Sequence, residues 1–295
     1  MNLKLTSSIS QLIQLILTKL KSINRGENKI ANNTNNKIND KDLNLRLLGN
    51  LPIEIKDVGK IYSPKLIEIA EIGELEYNNY LGLISLDKDY FKKNNNLNNE
   101  LSFEEREEFE KEINKLSIFQ FIYISLYQNI HLRQSYLDAL SFFFKEKVYF
   151  YENGFLHIDT IDKDKIISDN NFDLIIETIK KSNCLKTNNE DDDYNPANDK
   201  AKEIADKIRK SREKVNKLKA KNNESLDLFD LISAFSTYQK IDLDRVYEMT
   251  IFRFYDQFKR MQKINEYDIS IQSLLHGADP KKVEIKNFVC RLGND

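Results

Sequence analysis

Apolar residues recur along this chain mostly at three- and four-residue intervals, interrupted twice by short runs of period two. That pattern predicts a mainly α protein with some β content: helical, bundle-like domains carrying one or two short β-hairpins. Near the N-terminus, Ile9, Leu12, Ile13, Ile16, Leu17 and Leu20 share one face of a helix expected over residues 7–23, with Ser7, Ser8 or Ser10 as its cap. Residues 24–42 are rich in Asn and nearly free of aliphatic side chains. Such a stretch buries too little surface to offset the entropy of ordering, so it reads as a linker and residues 1–23 as a tethered arm.

A first domain is expected over residues 43–184. Residues 51–63 alternate apolar and polar side chains around Asp57-Val58-Gly59, the pattern of a short hairpin. Ser63-Pro64 then reads as a helix start, with Ser as cap and Pro where its missing N–H costs nothing. Leu66, Ile67, Ala70 and Leu75 supply that helix's buried face, and Gly73 is a plausible break. After an Asn-rich loop beyond Phe91, Ser102 opens a helix with Glu104, Glu105, Glu107 and Glu108 in its first turns, where negative charge suits the dipole. Residues 117–144 are apolar on most faces and should form the central buried helix or helix pair. The period changes to two around Asn153-Gly154, predicting a hairpin over 147–160. A helix at about 171–182 closes the domain.

Residues 185–197 are acidic, Asn-rich and contain Pro196, and read as a second linker. From 198 to 295 a charged helix leads into a helical C-terminal domain. The helix, residues 198–221, carries one thin apolar seam of Ile204, Ile208, Val215 and Leu218. Good apolar faces return at Leu226–Phe235, at Ile251–Phe258 and at Ile269–Leu275. His276-Gly277 looks like a helix end with Gly left-handed, and a last short helix is expected from Pro280 to Leu292.

The overall numbers narrow the function classes. The net charge of -2 gives no global reason to expect an anionic partner. Eight Gly and four Pro are few for 295 residues, which favours helices over a sandwich or barrel. Cys184 and Cys290 are too far apart in sequence to suggest a disulfide framework or zinc site, and they read as free thiols in a reducing compartment. Leu12–Leu20 is too short and too polar to span a bilayer, so the expectation is a soluble intracellular protein with no membrane partner.

Each candidate site has a plainer alternative. Arg209, Lys210 and Arg212 lie within the basic helix 200–221, whose density of lysine and arginine could follow a phosphate backbone. The charges go all round the helix, however, and no aromatics are interleaved to stack bases. Solvated helix surface is the better reading, with an acidic protein partner or a nucleic acid as the alternatives. Asp191, Asp192 and Asp193 lack the alternating ligands and turn Gly of a calcium loop. His157 and Asp159 share a strand face, yet nothing supplies a third partner or pocket. Phosphate-binding Gly loops, nucleophile elbows and HExxH are absent, so the expectation is no enzyme, no cofactor and no small-molecule substrate, with an unrecognised enzyme kept as a further alternative. Phe254, Tyr255 and Phe258 share one helix face and read as core. Phe252 lies off it and, if exposed, could anchor a partner.

Residues 51–81, with Glu71-Ile72-Gly73 after the strand pair and Pro-started helix, resemble the opening of tail and baseplate assembly chaperones from phages of Gram-positive hosts. Residues 243–278, including Met249-Thr250-Ile251-Phe252-Arg253-Phe254-Tyr255, Tyr267-Asp268-Ile269 and His276-Gly277-Ala278, are similar to the helical C-terminal part of the same proteins. An Asn-, Lys- and Ile-heavy composition fits a low-GC bacterium or its phage. The resemblance implies a non-enzymatic protein that binds phage tail or baseplate proteins, as a chaperone or as a part kept in the particle. It implies a location in the host cytoplasm, with virion association and homo-oligomers left open. On that reading the partner-binding residues are Leu12, Ile13, Ile16, Leu17 and Leu20 of the arm, Phe252, and Arg209, Lys210 and Arg212.

Overall fold

The computed structural model describes residues 40–87, 114–159, 165–185 and 227–281, with single residues and short pieces from 283 to 292. The N-terminal arm, the helix expected from Ser102, the acidic linker and the basic helix lie outside the described residues. Among those described, nine helices and two small antiparallel sheets account for the regular structure. The chain forms two compact units: residues up to Pro64 join Leu75–Asn183 in the first, and Lys65–Glu74 join the chain from Cys184 onward in the second.

The first unit opens with α1, Asp40–Leu48, which reaches back into the stretch read from sequence as linker. Leu43 and Leu47, one turn apart, are buried, and that apolar anchoring holds the helix where composition alone suggests a linker. Strands β1 (Ile53–Ile55) and β2 (Gly59–Ile61) pair with Ile53 opposite Ile61. Their turn takes Asp57 to φ 60° and Gly59 to φ 126°, the second of which favours glycine, and it buries Val58 completely. Helix α2 (Leu66–Ile72) belongs to the second unit, and α3 (Glu74–Ile84) follows it. The break between α2 and α3 falls at Gly73, as the sequence suggests, with φ 86° and ψ 144°.

Residues 117–144 form a helix pair, α4 (Ile118–Gln128) and α5 (Ile130–Phe144). Ser117 caps α4 by accepting from the Gln120 amide at 3.0 Å, while the Gln120 side chain returns a bond to the Ser117 amide. Asn129 separates the two helices in an extended conformation and caps α5 by accepting from the Leu132 amide at 3.0 Å. Phe119, Phe121, Ile122, Leu126, Leu140, Phe143 and Phe144 are all buried, which confirms this pair as the centre of the unit's core. Tyr136 is buried with them. Among the described residues its hydroxyl finds no hydrogen-bond partner, and burial drives its pKa well above the ordinary value of 10.0.

The second hairpin has β3 (Val148–Phe150) and β4 (Leu156–Ile158), with Phe150 opposite Leu156. Asn153-Gly154 thus sits in a five-residue connection rather than a two-residue turn. Tyr123 explains the longer loop: its hydroxyl donates to the Tyr151 carbonyl at 2.6 Å and accepts from the Gly154 amide at 3.0 Å. A third strand, β5 (Ile166–Ile167), adds antiparallel to β4 and was not evident in the sequence. Helix α6 (Phe172–Ser182) closes the unit, burying Phe172, Ile175 and Ile179 at helical spacing.

A buried polar cluster lies at its end. The Ser63 hydroxyl donates to the Ser182 carbonyl at 2.8 Å, and the Tyr77 hydroxyl donates to Asn183 Oδ1 at 2.9 Å. Ser63 therefore does not cap the following helix. That helix begins at Leu66, and its first-turn Glu68 carboxylate accepts from the Lys65 amide at 2.8 Å instead.

The second unit is helical: α7 (Leu228–Gln239), α8 (Leu243–Tyr247) and α9 (Ile251–Leu275), together with α2. The apolar sets read separately at 251–258 and 269–275 fall on one 25-residue helix, α9. No Gly or Pro lies between them, and Arg260–Asp256 and Lys263–Glu266 pairs lie along the helix. It ends as the sequence predicts. Gly277 has φ 90°, and the Ala278 amide donates to the Ser273 carbonyl at 3.0 Å. The last helix expected from Pro280 to Leu292 is not found among the described residues, which are turn, bend and irregular there. Asp279 and Asn287 carboxyl and amide oxygens accept from the Lys281 and Val289 amides, local bonds that compete with helix formation.

Candidate functional site

The second unit is built around Phe254. This ring is fully buried and meets Phe235 at 5.4 Å, Tyr255 at 5.6 Å and Phe258 at 6.0 Å between centroids. Thr250 caps α9 by accepting from the Arg253 amide at 3.4 Å, which fixes the rotation that turns Phe254 inward. Burial pushes the Tyr255 hydroxyl above its ordinary pKa, so it stays protonated at neutral pH. The expected core face at 254, 255 and 258 is thereby found.

Phe252, offered as a partner anchor, is half-buried and makes an interaction of its own within the protein. The other expected binding residues, Leu12, Ile13, Ile16, Leu17, Leu20, Arg209, Lys210 and Arg212, lie outside the described residues.

The two stretches that carried the family resemblance meet here. The Leu66 amide, at the start of α2, donates to the Met249 carbonyl at 2.9 Å, and Lys65 forms an antiparallel bridge with Thr250. Lys65 Nζ pairs with Glu248 at 2.5 Å, which raises the lysine pKa. At the far end of the segment, both oxygens of Glu74 accept from the Leu228 amide at 3.2 Å. A carboxylate there suits the positive N-terminal end of α7. Sequence periodicity marks α2 as amphipathic but says nothing of which domain its apolar face enters. The signal available was the paired resemblance of 51–81 and 243–278.

The distal part of α9 is different in character. Met261 is the last buried residue of the helix, and the remaining stretch to Leu275 runs about 21 Å at 1.5 Å per residue. Ile269 and Leu275 there are 63% and 80% exposed, and Val289 beyond is 74% exposed. Tyr267 packs edge-on against Phe288 at 5.6 Å. A helix with exposed branched aliphatic residues past its anchored half offers apolar contact area.

In the first unit, His157 lies on β4 opposite Tyr149. Its Nε2 lies 2.8 Å from Asn153 Nδ2 and its ring stands edge-on to Tyr151 at 4.8 Å, while burial lowers its pKa. Asp159 sits at φ 59° with its amide donating to the Lys147 carbonyl at 2.9 Å. Cys184 and Cys290 are free and exposed. Among the described residues no group of three or more His, Cys, Asp or Glu is placed to hold a metal ion, and no helix is long and apolar enough to cross a membrane.

Residues 219–292 match the family model described as the YomV second domain. YomV is a protein encoded by a Bacillus phage or prophage. Neither the curated proteins nor the solved structures contain a match to the chain. The matched stretch takes in α7, α8 and α9 and leaves out α2.

Proposed function

We propose that the chain is a phage-derived, non-enzymatic assembly protein that binds tail or baseplate proteins through its helical surfaces. The observation that carries this reading is the match of residues 219–292 to a domain of a phage- or prophage-encoded protein. That domain holds the 243–278 stretch resembling tail and baseplate chaperones, and it includes the partly exposed half of α9. Exposed Ile269 and Leu275 are the partner contacts on this reading, joined by the arm residues Leu12, Ile13, Ile16, Leu17 and Leu20.

The test is affinity capture of the tagged protein from phage-producing cells, with the bound proteins identified by mass spectrometry. Tail or baseplate components are expected in the wild-type capture and depleted with Ile269→Asp/Leu275→Asp. Their absence from the wild-type capture overturns the reading.

A further inference from the structure

The C-terminal domain recognised from residues 219–292 lacks an element that the chain supplies from far upstream. We infer that Lys65–Glu74 is an integral part of that domain, and that it holds the domain to the rest of the protein independently of the polypeptide between 186 and 226.

The argument begins with core size. In this unit the buried apolar side chains among the described residues are Leu66, Ile69, Leu228, Ile232, Phe235, Val246, Ile251, Phe254 and Met261. Two of these nine come from α2, and Leu66 and Ile69 are 0% and 1% exposed. A helical domain of some seventy residues is near the size limit of a self-sufficient core, so removing two full side chains is a large fraction of what it has.

Polar contacts fix the same segment at both ends. At its start, the Leu66 amide bonds the Met249 carbonyl, Lys65 bridges to Thr250, and Lys65 pairs with Glu248. At its end, the Glu74 carboxylate takes the Leu228 amide. These contacts reach the turn before α9 and the start of α7, so one short helix ties together the two longer helices of the domain. Pro64 precedes the segment, and Gly73, with φ 86°, lets the chain leave it again towards α3. The domain's natural internal ligand is therefore a short amphipathic helix with Leu and Ile three residues apart, a lysine before it and a glutamate after it.

The full-length chain tests this directly. A specific protease site is inserted among residues 186–197 and cleaved under native conditions, and the fragments are run by gel filtration. The C-terminal fragment is expected to co-elute with the N-terminal one, and to separate in Leu66→Asp/Ile69→Asp. A gentler pair, Leu66→Ala/Ile69→Ala, should bring the separation to a lower denaturant concentration. Hydrogen exchange at Val148–Ile158 checks that the first unit is intact in both variants. Separation of the wild-type fragments overturns the inference, and so does co-elution of the aspartate variant's fragments. Neither result bears on whether tail or baseplate proteins are the partners.

Discussion

The amide of Leu66 donates to the carbonyl of Met249 at 2.9 Å across 183 residues of chain. That bond places the first turn of α2 beside the cap of α9, with Leu66 itself fully buried. A helix read from sequence as part of the N-terminal domain is thus a component of the C-terminal one. Truncating Leu66 or Ile69 to Ala removes fully buried methyl groups, at about 2–5 kcal/mol each. Chemical denaturation should show that loss, and hydrogen exchange should show it first in α7 and α9. Equal protection in variant and wild type would mean that α2 rests on the domain without supporting it.

Tyr136 gives a prediction of opposite sign. Its hydroxyl is buried and has no partner among the described residues, so Tyr136→Phe removes a desolvated polar group at almost no change in shape. Stability should be unchanged or higher by about 1–3 kcal/mol. The pH dependence follows from the raised pKa. The folded state keeps the phenol protonated while the unfolded chain ionises near 10.0, so this contribution is complete below that pH and fades above it. Wild-type stability should fall more steeply than that of Tyr136→Phe between neutral pH and strongly alkaline solution. A large destabilisation in the variant would reveal a bonded hydroxyl.

Gly73 lies at φ 86° and ψ 144°, and a Cβ built there meets nothing within 4 Å. Backbone strain is therefore the whole cost of Gly73→Ala, on the order of 1–3 kcal/mol. Thermal unfolding measures it. A neutral outcome would show that the break between α2 and α3 adopts another conformation without penalty.

Ser117 and Gln120 bond reciprocally at the start of α4. Ser117→Ala should cost about 1 kcal/mol, the ordinary value of such a cap, and Ser117→Asp should restore most of it. Denaturant midpoints for the two variants decide the matter.

What the sequence made legible was local. The Asp57-Val58-Gly59 turn, the apolar helix pair at 117–144, the Asn153-Gly154 hairpin and the Gly277 helix end all follow from residues within a few positions of one another. Their conformations are dictated by caps, left-handed positions and short periods, which a single sequence displays. What it hid was long-range. Ser63 carries the composition of a cap but spends its hydroxyl on Ser182, a partner 119 positions away. The strand Ile166–Ile167 is too short to show a period, and exists because β4 offers it an edge. Among the described residues the helix expected at Pro280–Leu292 is not found, and Asp279 and Asn287 bond neighbouring amides there instead. Of the candidate site, the inward face at Phe254 was visible as spacing, whereas the contribution of α2 required a contact that no period encodes.

The central claim is that the chain works by holding phage tail or baseplate proteins. The most direct measurement is affinity capture of the full-length protein from phage-producing cells, paired with the same capture of Ile269→Asp/Leu275→Asp. Both positions are exposed, so the double variant should keep its stability within about 0.5 kcal/mol for each site. Tail or baseplate proteins bound to the wild type and lost from the equally stable variant are the expected result. A wild-type capture containing none of them, or one dominated by nucleic acid, contradicts the account.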